Sequence, residues 1–189
     1  MWKVVKTQEC WDTTGSPPIS TKWVDFNKGD QQDYDIRCRL VAREMGGGKR
    51  DEFYAPTPPL EAKRLLFSEA ATNRKFGKHE KELLFIDVRK AYFNAKVDRP
   101  TFVELPPEMQ WAGYCGRLIR CMYGTKCAAM RWEDTYTQAL ERLGFAQCRA
   151  SPCCFTHKTR DLQLVVHGDD FTILGCDADL DHFPKGIQT

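Results

Sequence analysis

The sequence predicts an α+β fold in which an antiparallel sheet is covered by helices packed on one face. Two pairs of strand patterns carry this prediction, and a turn-rich segment separates the members of each pair: 21–26 with 34–42, and 162–166 with 171–174. Helical spacing of apolar residues marks two further stretches, 61–73 and 130–143. Strands joined by short turns pair antiparallel, and helices then bury the apolar face of the sheet.

Composition and charge narrow the class of protein. A chain of 189 residues, 42% of them hydrophobic, is long enough to bury a core as one sizeable domain or two small lobes. The net charge of +2 gives no overall basic signal of the kind that marks many nucleic-acid-binding proteins. The nine cysteines show no CxxC pair and no zinc-type spacing, and there is no signal peptide or membrane-length apolar run. We therefore expect an intracellular protein, cytoplasmic or nuclear, without a membrane partner.

Further elements are predicted outside the two hairpins. The apolar run 83–88 is typical of a buried central strand, and its only acidic residue, Asp87, lies close to its end. A helix is predicted over 89–97, a strand at 117–121, and short strands around the loop 13–18. A lone acid at the end of a buried strand is costly unless it is paired or binds a metal ion.

The turn between the last two strand patterns carries two adjacent carboxylates. Its sequence is His167-Gly168-Asp169-Asp170. Like charges this close repel each other, so the arrangement makes most sense if a divalent cation is bound there. Glycine and aspartate are also favoured turn formers, and simple turn chemistry is the alternative explanation for these four residues.

Three features combine into a candidate phosphoryl-transfer site. Besides Asp87 and the Asp169-Asp170 pair, Arg37 and Arg39 lie on one face of a predicted strand, about 7 Å apart. Carboxylates from neighbouring strands can hold two divalent ions for an in-line displacement, and magnesium suits such a site. The arginines suit a phosphate chain, although a solvated basic strand face explains them as well. On spacing alone, a nuclease or a phosphatase fits too.

Several short motifs lie in a fixed order along most of the chain. Residues 85–95 place an aromatic five residues after an aspartate, 122–132 read MYGTKCAAMRW, and 167–170 read HGDD. These segments resemble the first catalytic motif, the YGLKQAPRxW stretch and the YVDD box of reverse transcriptases from copia-type retrotransposons. Further similarity to that family lies, in the same order, at 21–24, 37–43, 51–56 and 102–107.

The resemblance implies an RNA-directed DNA polymerase with a fingers and palm fold. In that family the motif aspartates bind magnesium and drive nucleotidyl transfer from a nucleoside triphosphate to a primer end. Asp87 and Asp169 would then be catalytic metal ligands with Asp170 in support, and Val88 would belong to the same metal site. The implied cofactor is a pair of Mg²⁺ ions, with Mn²⁺ as an alternative. The implied partners are an RNA or DNA template-primer and a dNTP.

The resemblance also implies a set of nucleotide-binding residues. Tyr92 takes the place of the aromatic gate that packs under the incoming sugar and excludes a 2′-hydroxyl, and an aromatic facing a helix core is the alternative. Arg37 or Arg39 would hold the triphosphate, and the choice depends on strand register. Lys126 would touch the phosphate or the template backbone, with a solvated lysine as an equal alternative. Cys127 stands where the family has glutamine.

By the same resemblance, residues 1–79 form a fingers-like segment and 80–189 a palm-like segment of one continuous unit. The family's thumb and RNase H regions follow this point in the same polyprotein. The chain departs from the family pattern at Cys127, a weak hydrogen-bond donor, and at Gly168, which frees the turn to bend. The alternative function is therefore a catalytically dead retrotransposon remnant that folds and at most binds nucleic acid.

Overall fold

The structure is a computed structural model, and it describes residues 1–44, 55–76, 80–181 and 183. In chain order, its strands and helices are β1 (Trp2–Lys6), α1 (Thr7–Thr14), β2 (Thr21–Asn27), β3 (Ile36–Ala42), α2 (Leu60–Phe76), β4 (Lys81–Asp87), β5 (Phe102–Val103), β6 (Tyr114–Leu118), α3 (Ala128–Arg142), β7 (Phe145–Gln147), β8 (Cys154–His157), β9 (Gln163–His167), β10 (Asp170–Cys176) and α4 (Asp177–Leu180). This mixture of helices and antiparallel strands confirms the predicted α+β class. Most of the motif at 51–56 lies outside the described residues.

The chain divides into two compact units. The first is drawn from residues 1–54 and 92–132, and the second from 55–91 and 133–189. The assignment of 1–79 to fingers and 80–189 to palm stays a prediction. None of the described helices combines the length and apolar character needed to cross a membrane.

In the first unit, antiparallel strands form a hairpin and a small sheet. β2 and β3 pair from Thr21 opposite Ala42 to Asn27 opposite Ile36, which confirms the hairpin predicted from the sequence. β1, β6 and β5 form a three-stranded sheet in that order. A shared core joins the end of β3 to β5 and β6, and its buried members are Ala42, Val103, Leu118 and Met122.

In the second unit, five antiparallel strands form one sheet in the order β4-β10-β9-β8-β7. The hairpin of β9 and β10 confirms the second predicted hairpin, and it lies beside β4. Leu66 of α2 packs with Val165 and Leu174 on one face of the sheet. Tyr136 of α3 packs on the other face against Phe171, with ring centroids 5.7 Å apart.

Two predictions about this sheet are wrong. Helices cover both of its faces rather than one, because β10 buries consecutive residues, 171–175, and so has apolar side chains on both sides. The strand at 83–88 is not central: among the described strands β4 is an edge strand that pairs with β10, and its Phe85 is 63% exposed. An apolar run identifies a strand but does not say which strands lie beside it.

Local assignments differ in three further places. Residues 7–14 form helix α1 where short strands were expected, and the helix ends at Gly15, whose φ of 65° and N–H bond to Trp11 O form its C-terminal cap. The helix predicted over 89–97 is a single 3₁₀ turn, Ala91–Asn94. The strand predicted at 117–121 is β6, which lies slightly earlier in the chain. The helix predicted at 130–143 is confirmed as α3.

Candidate active site

A two-residue turn connects β9 to β10 and carries the adjacent carboxylates. β9 ends at His167 and β10 begins at Asp170, so Gly168 and Asp169 are the central residues of the turn. Gly168 has a φ of 67°, whereas Asp169 is not among the residues with positive φ. These signs are typical of a type II′ hairpin turn, which favours glycine at its first central position. The glycine therefore suits the turn that presents Asp169.

Strand register brings Asp87 to this turn. In the antiparallel pair of β10 and β4, Asp170 lies directly opposite Asp87. The backbone N–H of Val88 donates to the carbonyl oxygen of Asp169 at 2.9 Å, which joins the turn to the end of β4. The side chain of Val88 is buried, with 2% exposure. Backbone pairing thus fixes the relative positions of the carboxylates.

The three aspartates form one cluster. Carboxylate oxygens of Asp87, Asp169 and Asp170 lie within 4.8 Å of one another, and all three residues are exposed. In the described part of the chain, no lysine or arginine forms an ion pair with any of them. Three like charges at this spacing repel one another unless a cation lies between them. Carboxylate oxygens are the ligands that hard divalent ions such as Mg²⁺ prefer, so this donor set fits such an ion.

The two arginines of β3 have different surroundings. Arg37 donates from Nη2 to Oδ2 of Asp35 at 2.9 Å, and this hydrogen bond lowers the pKa of the Asp35 carboxyl. The guanidinium of Arg39 instead lies over the rings of Phe26 and Tyr123, 5.5 Å from each centroid. A guanidinium that stacks on ring faces keeps its N–H groups directed outward in its own plane. Of the two guanidinium groups, that of Arg37 is thus paired with a carboxylate, whereas that of Arg39 lies against aromatic rings.

Tyr123 is the centre of an aromatic cluster that includes Tyr92. The ring centroids of Tyr92 and Tyr123 are 4.6 Å apart with an angle of 48° between the planes. Phe93 meets Tyr123 edge-on at 5.4 Å. Tyr92 is half-buried, so these contacts orient its ring while part of it stays accessible. The cluster connects Tyr92, through Tyr123, to Arg39.

The loop after Tyr123 is held against the end of β3. The backbone N–H of Ala42 donates to the carbonyl oxygen of Tyr123 at 2.7 Å. The next residue, Gly124, has a φ of 85°, and a Cβ there would lie 2.0 Å from the Ala42 carbonyl oxygen. Because neither the backbone angle nor the space tolerates a side chain, this close approach requires glycine.

Glu44 is a site-forming residue that the sequence analysis missed. Its side chain is only 14% exposed, and its Oε1 accepts a hydrogen bond from Nη2 of Arg99 at 2.6 Å. Its Oε2 accepts a second bond from the backbone N–H of Lys126 at 2.7 Å. Glu44 and Lys126 are 82 positions apart in sequence, so no local pattern could reveal the contact between them. Glu44 thus fixes the backbone of the loop that carries Lys126.

Cys127 is buried rather than presented to solvent. It is 1% exposed and lies beside Cys121, which is 0% exposed. The hydrogen bond between the two thiols raises the pKa of Cys121 and lowers the pKa of Cys127. A buried thiol offers little surface to a ligand, whereas the neighbouring Lys126 is half-buried.

Sequence comparison defines the class of protein to which this fold and acidic cluster belong. The family described as "Reverse transcriptase (RNA-dependent DNA polymerase)" matches residues 1–186. The chain therefore belongs to the reverse transcriptase family, and the prediction of a copia-type reverse transcriptase domain is confirmed.

One relative is the putative transposon Ty5-1 protein YCL074W of Saccharomyces cerevisiae. The two sequences are 27% identical over 93 residues. The match covers 47% of this chain and 30% of the yeast protein. The chain thus matches less than a third of the length of this relative.

Proposed function

We propose that this reverse transcriptase domain synthesises DNA on an RNA template by two-metal nucleotidyl transfer at Asp87, Asp169 and Asp170. One observation carries the proposal: the carboxylate oxygens of these residues lie within 4.8 Å of one another. The family supplies the class of reaction, and the cluster supplies oxygen ligands of the kind that a phosphoryl-transfer metal pair requires.

The chain's own residues hold and orient the metal site. Asp87 and Asp169 would hold two Mg²⁺ ions, which Mn²⁺ could replace, with Asp170 in support. When bound, such a pair activates the attacking oxygen and stabilises the leaving oxygen of an in-line displacement. The N–H of Val88, 2.9 Å from the carbonyl oxygen of Asp169, keeps the turn aligned with the end of β4. The exposure of the carboxylates leaves room for substrate phosphates.

Resemblance to the family assigns nucleotide-binding roles to Arg39, Tyr92, Lys126 and Cys127. Arg39 binds the triphosphate, since Arg37 is already paired with Asp35. Tyr92, oriented by Tyr123, packs under the sugar and excludes a 2′-hydroxyl. Lys126 and its neighbour Cys127 belong to the loop that faces the phosphate or the template backbone. The partners in this proposal are an RNA or DNA template-primer and a dNTP, inside the cell.

Primer extension on an RNA template, with Mg²⁺ and dNTPs, tests the proposal directly. Asp169→Asn should reduce extension about a hundredfold or more, because the amide no longer supplies a charged metal ligand. Asp177→Asn is the matched control, since Asp177 is an exposed aspartate at the other end of β10. Extension that survives Asp169→Asn unchanged would contradict the mechanism.

A second candidate is a remnant that folds and at most binds nucleic acid. The burial of Cys127 favours it, because the family has glutamine there and a buried thiol is a poor hydrogen-bond donor to a ligand. Calorimetric titration with Mg²⁺, in the presence of a primer-template and dNTP, separates the two candidates. An active site binds the metal in a nucleotide-dependent manner, whereas a remnant shows no such binding.

A further inference from the structure

Two partly exposed cysteines face each other at the far edge of the five-stranded sheet. β7 and β8 pair antiparallel from Phe145 opposite His157 to Gln147 opposite Phe155. One step further along the same register, the N–H of Cys148 donates to the carbonyl oxygen of Cys154 at 2.8 Å. We propose that Cys148 and Cys154 are a redox modification site, which hydrogen peroxide converts to a disulfide and thiol reductants reopen.

The backbone brings the two cysteines close to the separation that a disulfide spans. Directly opposite residues of an antiparallel pair have side chains on the same face, with Cβ atoms about 4.5–5.5 Å apart. Their Cα atoms lie about 5.5 Å apart when the pair is hydrogen-bonded, which falls within the range seen across disulfides. A disulfide needs Cβ atoms about 3.5–4.5 Å apart, so the two ends of the hairpin must move slightly closer when the bond forms. The N–H of Cys154 donates to the carbonyl oxygen of Ser151, so a single backbone hydrogen bond joins Cys148 to Cys154 at this end of the hairpin. A disulfide strained in this way is more easily reduced, which suits a bond that thiol reductants reopen.

A third cysteine, Cys153, lies beside the pair in sequence but cannot join the disulfide, because its side chain points away from the other two. Cys153 precedes Cys154 in the chain, so its side chain points to the opposite face. Its thiol donates to the carbonyl oxygen of Pro56 at 3.2 Å and is 1% exposed. Burial raises the pKa of Cys153 to about 11, which keeps it a thiol at neutral pH. Cys148 and Cys154 are both only partly buried, which leaves them open to a small oxidant.

The reaction balances with peroxide as the named oxidant. The thiolate of one cysteine attacks the peroxide O–O bond, which breaks to give a sulfenic acid and hydroxide. The thiolate of the other cysteine then attacks that sulfur, forms the S–S bond and displaces hydroxide. In sum, two thiols and one hydrogen peroxide give one disulfide and two waters. Burial and the neighbouring Cys154 raise the pKa of Cys148, so the reaction should run faster at pH 9 than at pH 7.

The product would clip the hairpin at the sheet edge most distant from Asp87. The disulfide closes the loop 148–154, and the Pro152 carbonyl oxygen of this loop already accepts a hydrogen bond from Nε2 of Gln147 at 2.8 Å. β8 pairs with β9, the strand that leads into the acidic turn. The site is independent of the proposed polymerase function, since it requires no nucleotide, metal or template.

Peroxide treatment of the folded chain, followed by thiol counting and peptide mapping, tests the proposal. We expect the loss of two of the nine thiols and a mass decrease of about 2 Da, both reversed by a phosphine reductant. Trypsin cleaves after Arg149, so the bond should join peptides 143–149 and 150–158. Cys154→Ser should abolish this cross-link, and Cys153→Ser, the matched control next to it, should leave it intact.

Two outcomes overturn the proposal. One is a folded wild-type chain in which peroxide leaves the peptides 143–149 and 150–158 unlinked. The other is a cross-link that Cys153→Ser removes and Cys154→Ser does not. The same treatment in concentrated urea guards against misfolded variants, because the unfolded chain should give mixed pairings among its cysteines whereas the native chain gives one.

Discussion

The acidic cluster and the loop after Tyr123 are held in place by different sets of contacts. In the cluster, the strand pairing of Asp87 with Asp170 positions three like charges, and within the described residues no cationic side chain compensates them. In the loop, side-chain contacts add to the backbone bond between Ala42 and Tyr123: Glu44 binds the backbone at Lys126, and Arg39 stacks on Tyr123. A region held by backbone pairing can leave its charges available to a ligand. A region that also relies on side-chain contacts is sensitive to the identity of each of those side chains.

The largest effect should come from removing a charge of the cluster. Asp87→Asn should lower primer extension about a thousandfold, which corresponds to about 4 kcal/mol of transition-state stabilisation. The melting temperature should stay the same or rise, because the substitution relieves repulsion and leaves the pairing of β4 intact. Glu82→Gln, at an exposed position of the same strand, is the control and should change neither quantity. A lower melting temperature together with unchanged primer extension would contradict this expectation, because it would show that Asp87 stabilises the fold and is not needed for the reaction.

Gly124→Ala should have the next largest effect, on stability. The added Cβ would meet the Ala42 carbonyl oxygen at 2.0 Å, and φ is already 85°. We expect the free energy of unfolding to fall by about 3 kcal/mol, measured by urea denaturation. Gly113→Ala separates backbone strain from the steric clash, because Gly113 has a φ of 80° and a Cβ added there would meet nothing within 4 Å. That control should cost about 1 kcal/mol, and equal costs for the two variants would refute the close approach.

Substitution of Glu44 should have an intermediate effect. Glu44→Ala leaves the N–H of Lys126 and the guanidinium of Arg99 without this acceptor, and should cost about 2 kcal/mol of unfolding free energy. Glu44→Gln keeps one carbonyl oxygen as an acceptor and should cost less. Hydrogen exchange at the Lys126 amide reports the local effect, and exchange should accelerate in the order wild type, Gln, Ala. An unchanged exchange rate in Glu44→Ala would show that the loop is held by other contacts.

The smallest effect should distinguish the two arginines of β3. Arg39→Ala removes a guanidinium stacked on two rings and should cost about 1 kcal/mol of stability. Arg37→Ala breaks an exposed pair with Asp35 and should leave stability unchanged within error. In nucleotide binding, Arg39→Ala should weaken dNTP affinity more than Arg37→Ala does. The reverse ranking would assign the triphosphate to Arg37.

Local patterns predicted the parts of the molecule that local physics determines. Alternating side chains on either side of a turn-rich segment located both hairpins. The three aspartates could then be identified because they lie at the ends of predicted strands. The edge position of β4 was not predictable, because the apolar run 83–88 is compatible with one neighbouring strand or with a neighbouring strand on each side. Glu44 and its contact with Lys126 were also out of reach, since such a pair forms only when distant segments fold together.

The register of β4 against β10 makes the acidic cluster sensitive to chain length as well as to residue identity. Deleting or inserting a single residue within 83–87 would turn the Asp87 side chain to the opposite face of the sheet while leaving every aspartate in the sequence. A length change in the turn between β2 and β3 would leave this pairing untouched, because that turn belongs to the other unit. Related sequences can thus be sorted by spacing: tolerated insertions should accumulate between residues 28 and 35 and be absent from 83–87.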